Sequence, residues 1–310
     1  MPDQALYRQY CRQAPQVPLF AQPWHLDAVC VGGEWNAAVV EENGQLVAAM
    51  PYFLKRKGPF RYLAMPYFCK YLGPHLHPDI RKLSLEHKYY KELISQLPAV
   101  HAIKQEFHPS VTNWLPFYWQ GYRQTTLYTY RLNLEGGAEK AWKGFRSGLR
   151  NEIKKAARSC EVKQLDDARP VFGLFEKRFR EKGVNQPIPW EWFSRMDRAL
   201  AEHQARTTFV CFNKEGHPAA GAYIAWDTQS AYLLLTGFDS QVKMPGATAL
   251  AIWASIQFVA GKGLLFDFEG SMLPGVESFF RQFGGQQAPY FRVWKYPSRA
   301  FQLLEWLSKR

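Results

Sequence analysis

Nowhere in its 310 residues does this chain gather the roughly 18 consecutive apolar residues that a membrane-spanning helix needs. The opening Met1-Pro2-Asp3-Gln4 has neither the basic nor the apolar region of a secretory leader. Cysteine is scarce: Cys11, Cys30, Cys69, Cys160 and Cys211 lie far apart, are odd in number and show no Cys-x-x-Cys spacing. That argues against a disulfide framework or a cysteine zinc cluster and suits a reducing compartment, so a cytoplasmic protein is expected. His75 and His77 have no third ligand in view, and no metal is expected. Acidic residues are outnumbered, 27 against 39 Lys and Arg. The resulting charge of +12 favours polyanionic company: nucleic acid, a nucleotide-bearing cofactor or an anionic membrane surface.

Apolar material is plentiful, at 47% of residues, which is enough for two domains with full cores. The clearest local signal is Asn43-Gly44 between the apolar runs 35–41 and 46–54, because both turn residues accept a positive φ, as a tight hairpin requires. A second hairpin, 207–212 and 219–226 around the turn 213–216, repeats it. Setting Gly216 on Gly44 superposes Ala219 and Ala220 on Val47 and Ala48. A helical lead-in precedes each hairpin and further strands and helices follow, the mark of a duplicated domain. The expected fold is α/β: two similar lobes, each a mixed, mostly antiparallel sheet flanked by helices, meeting near Gly136. Residues 1–135 form the first lobe and 136–296 the second, with a last helix at 297–310 returning to the first.

After the break at 135–137, Trp142, Phe145, Leu149, Ile153 and Ala156 recur at helical spacing, and Arg146, Arg150, Lys154 and Arg158 follow every fourth residue beside them. This row is either a solvated basic face or a rail for phosphates. Further on, a strand at 231–238, a polar loop and an apolar helix from Ala249 make a strand-loop-helix corner. The amides of Gly246, Ala247 and Thr248, with Thr248 as the cap and Lys243 a turn earlier, could hold the pyrophosphate of a coenzyme. Pro245 could equally shape a plain turn there.

Acyl transfer to an amine needs a base for the proton and donors for the oxyanion. Gly237, inside a strand, marks either a bulge that frees a backbone N–H or close packing. Asp267 and Glu269 share one face of the next strand and Phe266 and Phe268 the other. Glu269 is the candidate base, and Asp267 is assigned to the following turn. Tyr232 and Tyr223 are candidates for an acid or a substrate hydrogen bond, set against the ordinary role of core tyrosines.

Arg150-Asn-Glu-Ile-Lys-Lys-Ala-Ala-Arg158, the second hairpin, Phe266-Asp-Phe-Glu-Gly270 and Gly275-Val-Glu-Ser-Phe-Phe-Arg-Gln-Phe-Gly284 together resemble the FemABX-like branch of the GNAT acyltransferase superfamily, as does the opening Phe20-Ala-Gln-Pro-Trp24. The resemblance covers nearly the whole chain. It implies tandem GNAT lobes and a transferase that moves an acyl group from acyl-CoA, or an aminoacyl group, to an amine. A lysine that follows the N-terminal Trp in the cell-wall enzymes is absent here, where His25-Leu-Asp-Ala28 follows Trp24. Two other readings stand beside this one: an aminoacyl-tRNA-dependent, FemX-like ligase acting on a cell-wall precursor, and a non-catalytic polyanion-binding protein.

Overall fold

The structure, a computed structural model, describes residues 3–181, 183 and 188–307. In chain order the elements are α1 (Gln4–Gln13), α2 (Pro23–Val29), β1 (Glu34–Glu42), β2 (Gln45–Lys57), β3 (Phe60–Ala64), β4 (His75–Leu76), α3 (Leu83–Ser95), β5 (Ala102–Glu106), α4 (Leu115–Trp119) and β6 (Arg123–Leu132). They continue through α5 (Gly137–Gly144), α6 (Ser147–Ser159), β7 (Glu161–Leu165), α7 (Arg169–Glu181), α8 (Trp190–Glu202), β8 (Arg206–Phe212), β9 (Pro218–Trp226) and β10 (Ser230–Phe238). Last come α9 (Ala247–Ala260), β11 (Leu265–Asp267), α10 (Pro274–Phe280), β12 (Gln286–Lys295) and α11 (Arg299–Leu307). The chain divides into two compact units, Met1–Leu127 with Pro289–Arg310, and Tyr128–Ala288.

The first unit orders its strands β1-β2-β3-β5-β12, with β4 also on β2. Asn43 and Gly44 both take positive φ, 54° and 78°, and Glu42 faces Gln45 across the turn, as the sequence predicts. All the pairings are antiparallel except β3 with β5, which is parallel through Tyr62–Ala102 and Leu63–Ile103 and is joined by the crossover helix α3. Tyr89, Tyr90 and Leu93 of α3 and Phe117 of α4 cover one face of this sheet. At the other end of the chain, α11 sets Phe301 on the rings of Phe60 and Tyr62 and Glu305 on Lys104.

The second unit orders its strands β6-β11-β10-β9-β8-β7, again with one parallel pair, β10 with β11, spanned by a crossover helix, α9. Element for element this repeats the first unit: a three-strand antiparallel meander, a crossover helix, a parallel strand, a short helix and a closing strand. The closing strands change places. The β6 residues Arg131 and Leu132 pair with β11 of the second unit, while the β12 residues Arg292 to Lys295 pair with β5 of the first.

α9 packs on one face of the second sheet against Ala220, Ala222 and Ile224, with Leu149, Ile153 and Ala156 of α6 completing that core. The apolar stripe of the sequence is therefore correct, but it does not lie on one helix. Phe145 and Arg146 are extended, at ψ 147° and 140°, and divide α5 from α6. The Arg146 N–H donates to the Gln282 carbonyl, and Gly284 presses on the Gly144 carbonyl, so the segment after α10 occupies the break.

Candidate active site

β10 and β11 run parallel only from Ser230–Leu265 to Tyr232–Asp267. β9 accompanies β10 to its end, with Phe238 opposite Ala220, so from Leu233 onward the other edge of β10 has no pairing with β11 among the described residues. Backbone groups on such an edge need partners and can supply them to a ligand. A bulge between Leu233 and Leu235 turns the strand at this point. Of the two alternatives the sequence leaves open for Gly237, bulge or close packing, the second holds: a β-carbon there would come within 2.5 Å of the Phe175 nitrogen. Gly237 sits in regular register opposite Gly221 and is small because α7 packs on it.

β11 stops because Asp267 is committed. Its carboxylate is fully buried, accepts the Thr129 hydroxyl at 2.5 Å and the Glu269 N–H at 2.8 Å, and faces the Arg131 guanidinium at 3.4 Å. The bond to Glu269 makes the turn that the sequence assigns to Asp267. It carries the chain through Phe268, whose N–H reaches the Tyr130 carbonyl, to Glu269 at φ 57° and Gly270 at φ 60°. Gly270 lies so close to the Tyr128 carbonyl that no side chain fits. Glu269, half-buried, is thus held in the left-handed region just beyond the end of β11, where that strand leaves β10.

The corner after β10 differs in detail from expectation. α9 begins at Ala247, with Gly246 at φ 81° as its N-cap, so Thr248 lies inside the first turn and does not cap it. The Ala247 N–H is taken by the Met244 carbonyl at 3.2 Å. Gly246 is approached by α6, since a β-carbon there would stand 2.7 Å from the Glu152 carbonyl. Of the expected anion-binding groups, the Thr248 amide and the exposed side chain of Lys243 stay in the first turn and the loop before it. The loop is fastened to α7: Lys177 donates to Asp239 at 2.6 Å and to Gln241 at 3.3 Å, and Ser240 donates to Glu181 at 2.6 Å. Burial acts to raise the Asp239 carboxyl, but the Lys177 ammonium and the Gln241 amide outweigh it and hold the carboxyl below its usual range.

The two tyrosines are engaged elsewhere. The Tyr232 hydroxyl donates to Asp227 in the β9–β10 turn at 2.9 Å, and burial drives its pKa well up. The Tyr223 hydroxyl donates to Asp197 at 2.9 Å, beside Arg206, on the α8 side of the sheet. Burial raises that phenol too, and Tyr223 is not in reach of the α6 cations, which belong to the other face. Arg146, just before α6, and Lys154, on it, are exposed, whereas Arg150 is half-buried and donates to the Lys143 carbonyl at 3.2 Å.

Sequence reasoning passed over Glu277, although it lies inside a motif that carries the family resemblance. It accepts a short hydrogen bond from Tyr130, raising that phenol's pKa, and stands 3.4 Å from Arg281 one turn on. Gln287 donates to the same hydroxyl at 3.2 Å. The i, i+4 spacing of Glu277 and Arg281 was the available signal.

The profile of the acetyltransferase (GNAT) domain fits residues 143–292. Residues 143–292 are therefore a GNAT acetyltransferase domain. None of the curated proteins matches the chain in sequence. Among solved structures, FemX aligns with a TM-score of 0.62 at 12% identity, over 85% of this chain and 90% of that one. A tandem GNAT protein from the clavulanic acid biosynthesis pathway aligns with a TM-score of 0.51 at 11% identity, over 88% and 85%. L-PGS from Bacillus licheniformis gives 0.53 at 13% identity, over 98% and 95%. At these identities the structures establish the fold, which is FemX-like, and the GNAT domain brings acyl transfer as the general chemistry. No group of three metal-ligating side chains occurs among the described residues.

Proposed function

We infer that the protein transfers an acyl group from acyl-CoA to an amine acceptor, with the GNAT domain's β10–β11 opening as the donor site. The observation that carries this reading is the early parting of the two strands, which leaves the β10 edge from Leu233 to Phe238 to hydrogen-bond a ligand. Bound acyl-CoA supplies an activated carbonyl and a thiolate leaving group. The chain's own part is to bind, orient and move a proton. The peptide groups at the Leu233–Leu235 bulge face the developing oxyanion, and loss of one such donor costs about 3 kcal/mol where it has been tested in other enzymes. Glu269, fixed at the end of β11, takes the proton from the attacking amine. The Thr248 amide and Lys243 hold the coenzyme phosphates. Gly246 serves the packing of α6 on α9 and leaves no room for a ligand on the side that faces Glu152.

The exposed cations Arg146, Lys154 and Arg158 favour a second reading, in which the donor is an aminoacyl-tRNA. Thermal shifts of the full chain with acetyl-CoA, longer acyl-CoAs, free CoA and charged and uncharged tRNA separate the two. Stabilisation by acyl-CoA and not by tRNA is expected. A shift with charged tRNA alone transfers the role to that donor, and an equal shift with uncharged tRNA leaves only polyanion binding.

A further inference from the structure

The first unit carries two short apolar surfaces that are exposed among the described residues. On α4, Leu115, Tyr118 and Trp119 are exposed, the last two at 59% and 50%. On α11, Leu303, Trp306 and Leu307 follow at i, i+3 and i+4 on one helix face, with the leucines at 57% and 58%. The opposite face of α11 is the one that packs, through Phe301 and Glu305. A pocket of about 240 Å³ lies between Gly121, two residues past Trp119, and Gln302, one residue before Leu303, and Arg123, Trp294, Lys295 and Tyr296 complete its wall.

The pocket is basic. Among the described residues neither Arg123 nor Lys295 forms an ion pair; Lys295 donates to the Gln120 carbonyl at 2.7 Å. The neighbouring carboxylates are in use: Glu305 accepts from Lys104 and Tyr296, and Glu86 accepts from Asn113. Lys91 lies over the Trp119 ring at 5.1 Å, adding a cation at the aromatic rim. Tryptophan, tyrosine and leucine around a basic recess form the pattern of a surface that lies on a bilayer, where aromatic rings settle at headgroup depth and cations meet anionic lipid. A soluble phosphate ligand has no use for the six exposed apolar side chains. An anionic membrane uses both halves of the pattern, and the net charge of +12 draws the protein to it.

We propose that α4, α11 and the Arg123–Lys295 pocket form a peripheral membrane-docking surface that takes an anionic phospholipid headgroup. No described helix is long and apolar enough to cross a membrane, and the contact is one-sided. This proposal does not depend on the acyl-transfer reading.

The test is sedimentation of the full chain with vesicles of phosphatidylglycerol in phosphatidylcholine and with pure phosphatidylcholine. Binding to the anionic vesicles, weakened by salt, is expected. The double variant Tyr118→Ser, Trp119→Ser should lower the partition about tenfold, Leu303→Asp with Leu307→Asp should act likewise, and Arg123→Gln should lower it about fivefold. All these side chains are exposed or on the pocket wall, so circular dichroism and melting temperature should stay unchanged. Failure to sediment, or sedimentation indifferent to the aromatic variant, overturns the proposal. So does release by soluble glycerol phosphate, which would mark a site for a free phosphate. A change of solution mass in the apolar variants would assign the surface to a second copy of the chain and overturn it as well.

Discussion

Gly246 stands against the Glu152 carbonyl so closely that a β-carbon would lie 2.7 Å from that oxygen, and its φ of 81° disfavours any other residue. α6 and α9 meet through this contact. Gly246→Ala is therefore expected to destabilise the protein by about 1–3 kcal/mol, as strained left-handed residues do. A denaturant titration checks it; an unchanged midpoint would mean that α6 can withdraw without cost.

Lys243 tests the donor site without that complication, because it is exposed in the loop. Lys243→Ala should leave the melting temperature in place and reduce the thermal shift produced by acyl-CoA. An undiminished shift would move the coenzyme phosphates away from the start of α9.

Glu269 and Asp267 should separate in their effects. Glu269→Gln is expected to lower kcat by about 10²–10⁴ with little change in the KM for the donor, the effect of losing a base. Asp267→Ala instead removes the buried carboxylate shared by Thr129, the Glu269 N–H and the half-buried Arg131 and should cost about 3–5 kcal/mol of stability. If Asp267→Ala melts normally, the account of why β11 ends there fails.

The α6 cations make a prediction about salt. Lys154→Glu should weaken binding of any polyanion this face holds and flatten its dependence on ionic strength, while stability stays within a few tenths of a kcal/mol. Affinity unchanged for tRNA and for acyl-CoA would return these residues to a solvated helix face.

His25 makes the first unit sensitive to acid. Burial lowers its pKa from 6.5 to about 4, and Nε2 must donate to the Phe68 carbonyl at 3.0 Å, so the folded state holds the ring neutral. The unfolded chain protonates at the ordinary value. The stabilisation is thus fully present above about 6.5 and is lost as the pH falls toward 4, up to about 3 kcal/mol. In His25→Gln the slope of stability against pH between these values should shrink; an identical slope would place the acid sensitivity elsewhere.

Much of this was legible in the residues, for local reasons. Asn43-Gly44 can do little but turn, and Leu149, Ile153 and Ala156 lie on one helix face whatever surrounds them. The repeat of hairpin, helix and strand shows because both copies keep the same apolar pattern. What the sequence hid are contacts between distant segments. Gly237 reads equally as a bulge or as a packing site until α7 is placed on it, and Gly246 reads as an open approach until the Glu152 carbonyl fills it. The break at Phe145 is set by Gln282, more than a hundred residues on. Glu277 was hidden because its partner, Tyr130, lies on a strand that precedes the domain's own helices.

The placement of the two closing strands bears on how the protein is made. β5 waits for Arg292 to Lys295 before its edge is paired, so the first unit is incomplete until those residues, nearly two hundred positions after β5, have left the ribosome. A nascent chain stalled between β5 and β12 would hold a finished meander with an exposed β5 edge, open to pairing with a neighbouring chain on the same message. Truncation just after Ala288 should accordingly yield aggregated material, and the missing strand, supplied in trans as a peptide of residues 286–296, should restore solubility.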